Sequence, residues 1–231
     1  MSENFYGKGA AKYYDIVAYY DYNEAAKSIA SCIKGKRVLE LGIGTGLTAI
    51  PMSKLGFRID GIDNSKYMLD AARRKISGEN SSVRKRVRLV HQSASGISLK
   101  GHYDAVISQG GVLTLVGPGM ESYLKTEKAT IDLLKRVYKI LRKGGRLIMN
   151  IQPPRKSSRM LVGGFSYTGI VRKRGKRLII THIIGKGGKT CVKQTFNKFY
   201  ISRHEFNKMA STVGFKIVGP NKKGLHYILE K

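Results

Sequence analysis

The sequence predicts an α/β protein built on an open, mostly parallel sheet. Three observations carry that prediction. Apolar runs that read as buried strands alternate with helical patterns between residues 34 and 151. The first such run, Val38-Leu39-Glu40-Leu41, ends in Gly42-Ile43-Gly44-Thr45-Gly46, and a helical pattern follows over 47–55. The second, Ile59 to Ile62, ends in Asp63, seventeen residues past Gly46, the length of one strand–helix–strand step.

The glycine turn predicts a cofactor loop. Glycine takes positive φ freely and lets a ligand approach the backbone. The free N–H groups of the following helix favour a polar or anionic ligand atom. A dinucleotide loop would read G-x-G-x-x-G, but Leu47 stands where its third glycine belongs. The phosphate-loop pattern G-x-x-x-x-G-K-[ST] is absent. Glu40, two residues before Gly42, would repel a pyrophosphate and suits a cation. S-adenosylmethionine carries a sulfonium and an ammonium and no phosphate.

Glu40-x-Gly42-x-Gly44-x-Gly46 resembles the first motif of class I S-adenosylmethionine-dependent methyltransferases. Gly61-x-Asp63-x-Ser65, with Met68 one turn into the next helix, is similar to their second. The resemblance implies a Rossmann-like fold with a seven-stranded, mostly parallel sheet, and S-adenosylmethionine as cofactor. It implies cofactor contacts at Glu40, Gly42, Gly44 and Gly46, with Asn64 and Met68 beside the ribose-binding Asp63.

Composition narrows the class. At 231 residues and 42% hydrophobic content the chain suits one ordinary α/β core with a small elaboration. No apolar run is long enough to span a bilayer and no signal-peptide pattern is present, so the expectation is a cytoplasmic protein without membrane association. Cys32 and Cys191 make no disulfide framework, and no metal-ligand spacing occurs. The 43 Lys and Arg against 15 Asp and Glu, formally +28, have two readings: an anionic partner such as nucleic acid, or a solvated basic surface. Monomer and homodimer are both open.

The elements follow in order. Residues 1–33 are tyrosine-rich and precede the sheet, with a helical pattern over 23–33. Their Y-D-x-x-x-x-Y-D arrangement resembles the lid of small-molecule methyltransferases of the glycine and amino-sugar N-methyltransferase kind, which implies cofactor contacts from Tyr14 and Tyr22. A helix over 66–76, a basic connection over 77–86 and a strand over 87–91 lead to the loop Gln92-Ser93-Ala94. The family commonly has an acid near Ser93; here Ser93 and Ala94 are the residues left to meet the adenine. Strand four, 102–109, ends at Gln109 and two glycines, where an open sheet places its ligands. Neither the Asn/Asp-Pro-Pro-aromatic motif of exocyclic base methylation nor a Pro-Cys pair is present.

A long helical pattern over 121–141 ends in Arg142-Lys143-Gly144-Gly145, and strand five covers 146–151. Residues 152–201 read as an antiparallel β cap with strands over 166–172, 177–184 and 191–200. No Asp or Glu occurs from Leu133 to His204. Ser202 and Glu205 form a capping-box pattern that opens a helix to Val213, and strands over 215–218 and 225–229 close the chain. The whole reads as one domain: lid 1–33, cofactor-binding core 34–151, cap 152–201, and final helix and strands 202–231.

Methyl transfer is an in-line displacement, so the protein mostly positions the two partners and excludes water. An amine acceptor must arrive neutral; a hydroxyl needs a general base. Five histidines are available, and His182 is the candidate base because it lies in the cap. Arg155, Lys156 and Arg159 follow strand five and are candidates to hold an anionic part of the acceptor. The expected function is methylation of a small-molecule amine or hydroxyl. An RNA methyltransferase and a noncatalytic cofactor- or RNA-binding protein of the same fold are the alternatives.

Overall fold

The computed structural model describes residues 7–18, 21–98, 101–110, 112–153 and 156–231. In chain order the elements are α1 (Lys8–Val17), α2 (Tyr22–Ala30), β1 (Arg37–Leu41), α3 (Ala49–Lys54), β2 (Arg58–Asp63), α4 (Lys66–Ser77), α5 (Ser81–Arg86) and β3 (Val87–His91). Next come β4 (Tyr103–Ser108), β5 (Leu113–Val116), β6 (Gly119–Ser122), α6 (Glu127–Ile140) and β7 (Leu141–Gln152). Strands β8 (Ser158–Val162), β9 (Phe165–Arg174), β10 (Arg177–Lys186) and β11 (Lys189–Ser202) follow, then α7 (Arg203–Val213), β12 (Lys216–Pro220) and β13 (His226–Glu230).

Seven strands make the core sheet in the order β3-β2-β1-β4-β7-β13-β12. The first five run parallel, while β13 is antiparallel to both β7 and β12. This is the sheet that the two motifs imply. Its central strands are buried on both faces, as parallel sheets covered by helices are, while the edge strands β3 and β12 are partly exposed. Leu39, Leu41, Val106 and Leu147 face α6 and α7 in one apolar cluster; Val38, Ala105, Ile107, Ile148 and Ile228 face α2 and α3 in another.

The cap is larger than the sequence suggests and is not confined to residues 152–201. Strands β5 and β6 form a hairpin that pairs β6 with β11, so the cap sheet runs β5-β6-β11-β10-β9-β8. It joins the core sheet where β5 lies parallel to the end of β7, Leu115 opposite Ile151. The helix expected over 121–141 therefore starts later, at Glu127. Gly117, at φ +55°, lets Leu113–Val116 fold back on Gly119–Ser122, and the Thr126 side chain caps α6 by accepting from the Ala129 N–H. Arg142 does not close that helix either. It lies in β7 and ion-pairs at 2.8 Å with Asp104, whose other oxygen accepts from the N–H groups of Lys36 and Arg37. One carboxylate thus ties together the starts of β1, β4 and β7. The basic connection over 77–86 holds a short helix, α5, capped by Asn80.

The C-terminal reading matches in detail. Ser202 accepts from the Glu205 N–H at 3.1 Å and Glu205 accepts from the Ser202 N–H at 2.8 Å, while Gly214 ends α7 in the left-handed conformation.

Candidate active site

The carboxyl ends of β1, β2 and β4 open onto a cavity of about 420 Å³ between the glycine turn, the N-terminal helices and the cap. Gly42, Gly44 and Gly46 all have positive φ, at +70°, +57° and +81°, which is why side-chain-bearing residues do not fit there. The Gly42 and Ile43 N–H groups donate to the Ile62 carbonyl, and the Gly44 N–H donates to Asp63 Oδ2 at 2.8 Å. Asp63 Oδ1 accepts from the Ser65 N–H at 2.9 Å. The carboxylate at the end of β2 therefore holds the glycine turn open and starts α4, and each oxygen keeps a lone pair for a ligand. Burial pushes its pKa up, against the backbone N–H groups that pull it down.

Tyr14, Tyr22, Glu40, Gly42, Gly44, Asp63, Asn64, Met68, Ser93, Ala94 and Gln109 all line the cavity. Gly46 does not; it shapes the turn behind it. Ser65 caps α4 by accepting from the Met68 N–H, and the Met68 Cε lies where a Cβ on Gly44 would come within 3.3 Å of it. The Ser93 hydroxyl accepts from the Ser95 N–H. The Asn64 carbonyl accepts from His91 Nε2 at 3.1 Å.

Three polar atoms of residues that line the cavity are buried and without a hydrogen-bond partner, Glu40 Oε2, Gln92 Oε1 and Gln109 Nε2. Such atoms are costly unless something pairs with them. Burial, with the Asp63 charge beside it, pushes Glu40 up to about 8, so the carboxyl is mostly neutral at pH 7. A ligand ammonium would supply the missing partner and draw out the carboxylate. A cationic amino acid on a nucleoside fits this wall: Asp63 for ribose hydroxyls, Glu40 for the ammonium, and a cavity closed by Tyr14 and Tyr22.

The lid is tied to the glycine turn. Asp15 of α1 accepts from the Thr45 hydroxyl at 2.6 Å and from Lys75 Nζ at 2.6 Å. Tyr13 and Tyr14 pack with Phe165, Tyr167, Ile184 and Phe196 on the inner face of the cap.

His182 is not among the residues that line the cavity. Its ring stacks on Phe196, which does line it, at 5.1 Å between centroids. Its Nδ1 and the Tyr167 hydroxyl are 2.7 Å apart in a hydrogen bond. Lys156 and Arg159 are exposed, and neither lines the cavity; Arg155 lies outside the described residues. Arg159 pairs with Thr168, so it is on the face of the cap opposite Tyr167. Arg159 therefore points away from the cavity, whereas Lys198 of β11 is turned inward and buried against Tyr123. Lys125 is the lining cation among the described residues.

The sequence reading missed the other end of the cavity, Tyr123, Leu124, Lys125, Phe196 and Asn197. Lys198 lies 4.7 Å from the centroid of the Tyr123 ring and ion-pairs with Glu121 at 3.2 Å, both side chains almost fully buried. Gly117-Pro118-Gly119 between two apolar runs was the available signal for a hairpin there.

Sheet order and the glycine turn define the class I, Rossmann-like fold of S-adenosylmethionine-dependent methyltransferases. Residues 38–145 match the family model described as a methyltransferase domain. The chain is 29% identical over 147 residues to the putative methyltransferase YqeM of Bacillus subtilis, covering 62% of this chain and 54% of that protein. It spans about half the length of the curated relatives it matches. The CcbJ methyltransferase of Streptomyces caelestis has the same fold, with a TM-score of 0.78 and 21% identity over 100% of this chain and 98% of that one. CalS10 of Micromonospora echinaspora, an amino pentose methyltransferase, superposes with a TM-score of 0.70 at 17% identity, over 100% and 99% of the two chains. No helix among the described residues is long and apolar enough to cross a membrane, and no cluster of metal-ligating side chains occurs among them.

Proposed function

We propose that this protein transfers the methyl group of S-adenosylmethionine to an amine or hydroxyl of a small-molecule acceptor. The observation that carries the reading is one continuous cavity. It is lined at one end by the glycine turn, Glu40 and Asp63, and at the other by Tyr123, Lys125 and Phe196 of the hairpin and cap.

When bound, S-adenosylmethionine supplies an activated methyl group on a sulfonium. Asp63 holds the ribose, Glu40 the ammonium, and Asn64, Met68, Ser93 and Ala94 the nucleoside. Tyr14 and Tyr22 close over the cofactor and exclude water. Gln109 stands at the carboxyl end of β4, between the two ends of the cavity. The enclosed shape suits a metabolite, and amino-sugar chemistry in a structural neighbour such as CalS10 agrees with an amine acceptor. An anionic part of the acceptor would meet Lys125. His182 lies behind Phe196 and outside the cavity, which favours an amine acceptor that needs no base over a hydroxyl that does. Calorimetry with S-adenosylhomocysteine tests the cofactor: binding that Asp63→Ala abolishes is expected, and absence of binding at millimolar ligand overturns the reading.

A second reading rests on the outer face of the cap. Arg159, Arg172, Arg177 and Lys193 share that face by register, within a stretch that contains no acid. An RNA acceptor would use them as phosphate contacts, and its affinity would fall steeply with salt. Methyl incorporation into RNA, together with that salt slope, would replace the small-molecule reading. Cofactor binding without any methylated acceptor would leave a binding protein of this fold.

A further inference from the structure

The polar atoms of the cavity wall that lack a partner sort by end. Two oxygens, Glu40 Oε2 and Gln92 Oε1, lie with the glycine turn and the loop after β3. A donor, Gln109 Nε2, stands between the ends. At the far end Lys125 lines the cavity, and among the described residues its ammonium has no hydrogen-bond or ion-pair partner. The acids nearest to it in the chain are already engaged, Glu121 with Lys198 and Glu127 with Lys176. No Asp or Glu lines that end among the described residues. The far end thus carries one uncompensated positive charge, and an anion is the group that would complete it.

The wall beside that charge is aromatic. Tyr123 and Phe196 both line the cavity, with ring centroids 5.5 Å apart and planes at 41°. Each ring is braced by a residue outside the cavity. The His182 ring stacks on Phe196 at 5.1 Å and is hydrogen-bonded to the Tyr167 hydroxyl. Lys198 lies 4.7 Å from the Tyr123 centroid and is held by Glu121 at 3.2 Å. Rings fixed in advance take a flat partner without losing freedom of their own.

The nucleophile is limited by what the cavity lacks. No histidine lines it among the described residues, and Glu40 is taken by the cofactor's ammonium in the reading above. An aliphatic amine would arrive protonated and find no base there. An arylamine shares its lone pair with the ring, so it arrives neutral at neutral pH. Building on the small-molecule reading above, we propose that Tyr123, Phe196 and Lys125 form the acceptor subsite, and that it takes an arylamine bearing a carboxylate. The ring lies against Tyr123 and Phe196, the carboxylate meets Lys125, and the uncharged amine faces the cofactor end. Charge, shape and protonation state are thus each selected by a different feature of one cavity.

The test is calorimetry on protein saturated with S-adenosylhomocysteine, with three probes of similar size. These are para-aminobenzoate, its uncharged analogue para-aminobenzamide, and para-aminocyclohexanecarboxylate, which keeps the carboxylate and loses the flat ring. The wild-type protein is expected to favour the benzoate over the benzamide by about tenfold, the low end for a hydrogen bond to a charged group because Lys125 is exposed. That preference should shrink as salt is added. Lys125→Met should lose it while keeping S-adenosylhomocysteine affinity, and Phe196→Leu should weaken benzoate and benzamide alike. The wild-type comparison needs no variant to fold. A wild-type protein without the preference, a Lys125→Met protein that retains it, or a cyclohexane analogue bound as tightly as the benzoate would each overturn the subsite. Failure to bind S-adenosylhomocysteine would instead count against the methyl-transfer reading.

Discussion

Asp15 of the lid helix and Lys75 of α4 form an ion pair 2.6 Å long, and Thr45 of the glycine turn bonds to both. This contact ties α1 to the glycine turn. It couples the order of α1 to the conformation that the ligand meets.

Asp15→Ala should therefore weaken S-adenosylhomocysteine binding several-fold with little loss of melting temperature. Both side chains are partly exposed, and such a pair contributes about 0.2–1 kcal/mol. Calorimetry at low and high salt checks it. The wild-type affinity should fall with salt and approach that of the variant; a variant equal to wild type at low salt would make the pair ornamental.

Glu40 makes the second prediction. Its carboxyl is held up to about 8, and a ligand ammonium favours its charged form. Binding at pH 7 should release a proton, and affinity should rise with pH up to about 8. Calorimetry in buffers of different ionisation enthalpy reads the proton directly. Glu40→Gln should bind more weakly and without proton release. The sign for stability is opposite: between 4.5 and about 8 the unfolded carboxyl has lost its proton and the folded one has kept it, so the ligand-free fold loses stability as pH rises through that window.

His226 acts in the other direction. Burial pulls it down from 6.5 to about 4. Between those values the unfolded imidazole binds a proton and the folded one does not, so this contribution to stability is lost as pH falls from 6.5 towards 4. His226→Gln should flatten the acid limb of a denaturation series and leave the alkaline limb, which Glu40 sets, unchanged. Equal acid sensitivity in both proteins would contradict the assignment.

Gly61 tests the packing behind the turn. A Cβ there would lie 2.0 Å from Ile43 Cδ1. Ile43 is in the core, and it is fixed by its N–H bond to the Ile62 carbonyl. Gly61→Ala should cost about 1–3 kcal/mol by overpacking. It should also weaken cofactor binding, because relief of the clash moves the turn. Gly96→Ala is the control for replacing a glycine without a clash, since Gly96, like Gly61, has no positive φ and its added Cβ meets nothing within 4 Å. Denaturant melts of both variants, with and without S-adenosylhomocysteine, separate the two terms.

Much of the cofactor end was legible in the sequence. Its parts are local: Glu40 to Gly46 is one strand and turn, and Asp63 follows at a fixed distance along one strand–helix–strand unit. Gly61 as a close-contact residue was legible only as part of a motif, since the contact with Ile43 is made across two strands. The far end of the cavity was not legible. The helical pattern over 121–141 concealed a strand in its first two residues, because β6 takes its partner, β11, from about eighty residues away.

The sequence by itself determined the sheet core, its glycine turn and the carboxylates Glu40 and Asp63 beside it, because strand periodicity, glycine spacing and residue charge act over one supersecondary unit. The tertiary structure decided what lines the far end of the cavity. It turned Arg159, Arg172, Arg177 and Lys193 to the outer face of the cap, set His182 behind Phe196, and brought Gln109, Asn150 and His226 together at one sheet edge. Those outcomes depend on register and on which face of a sheet a side chain takes, and pairing between distant strands sets both.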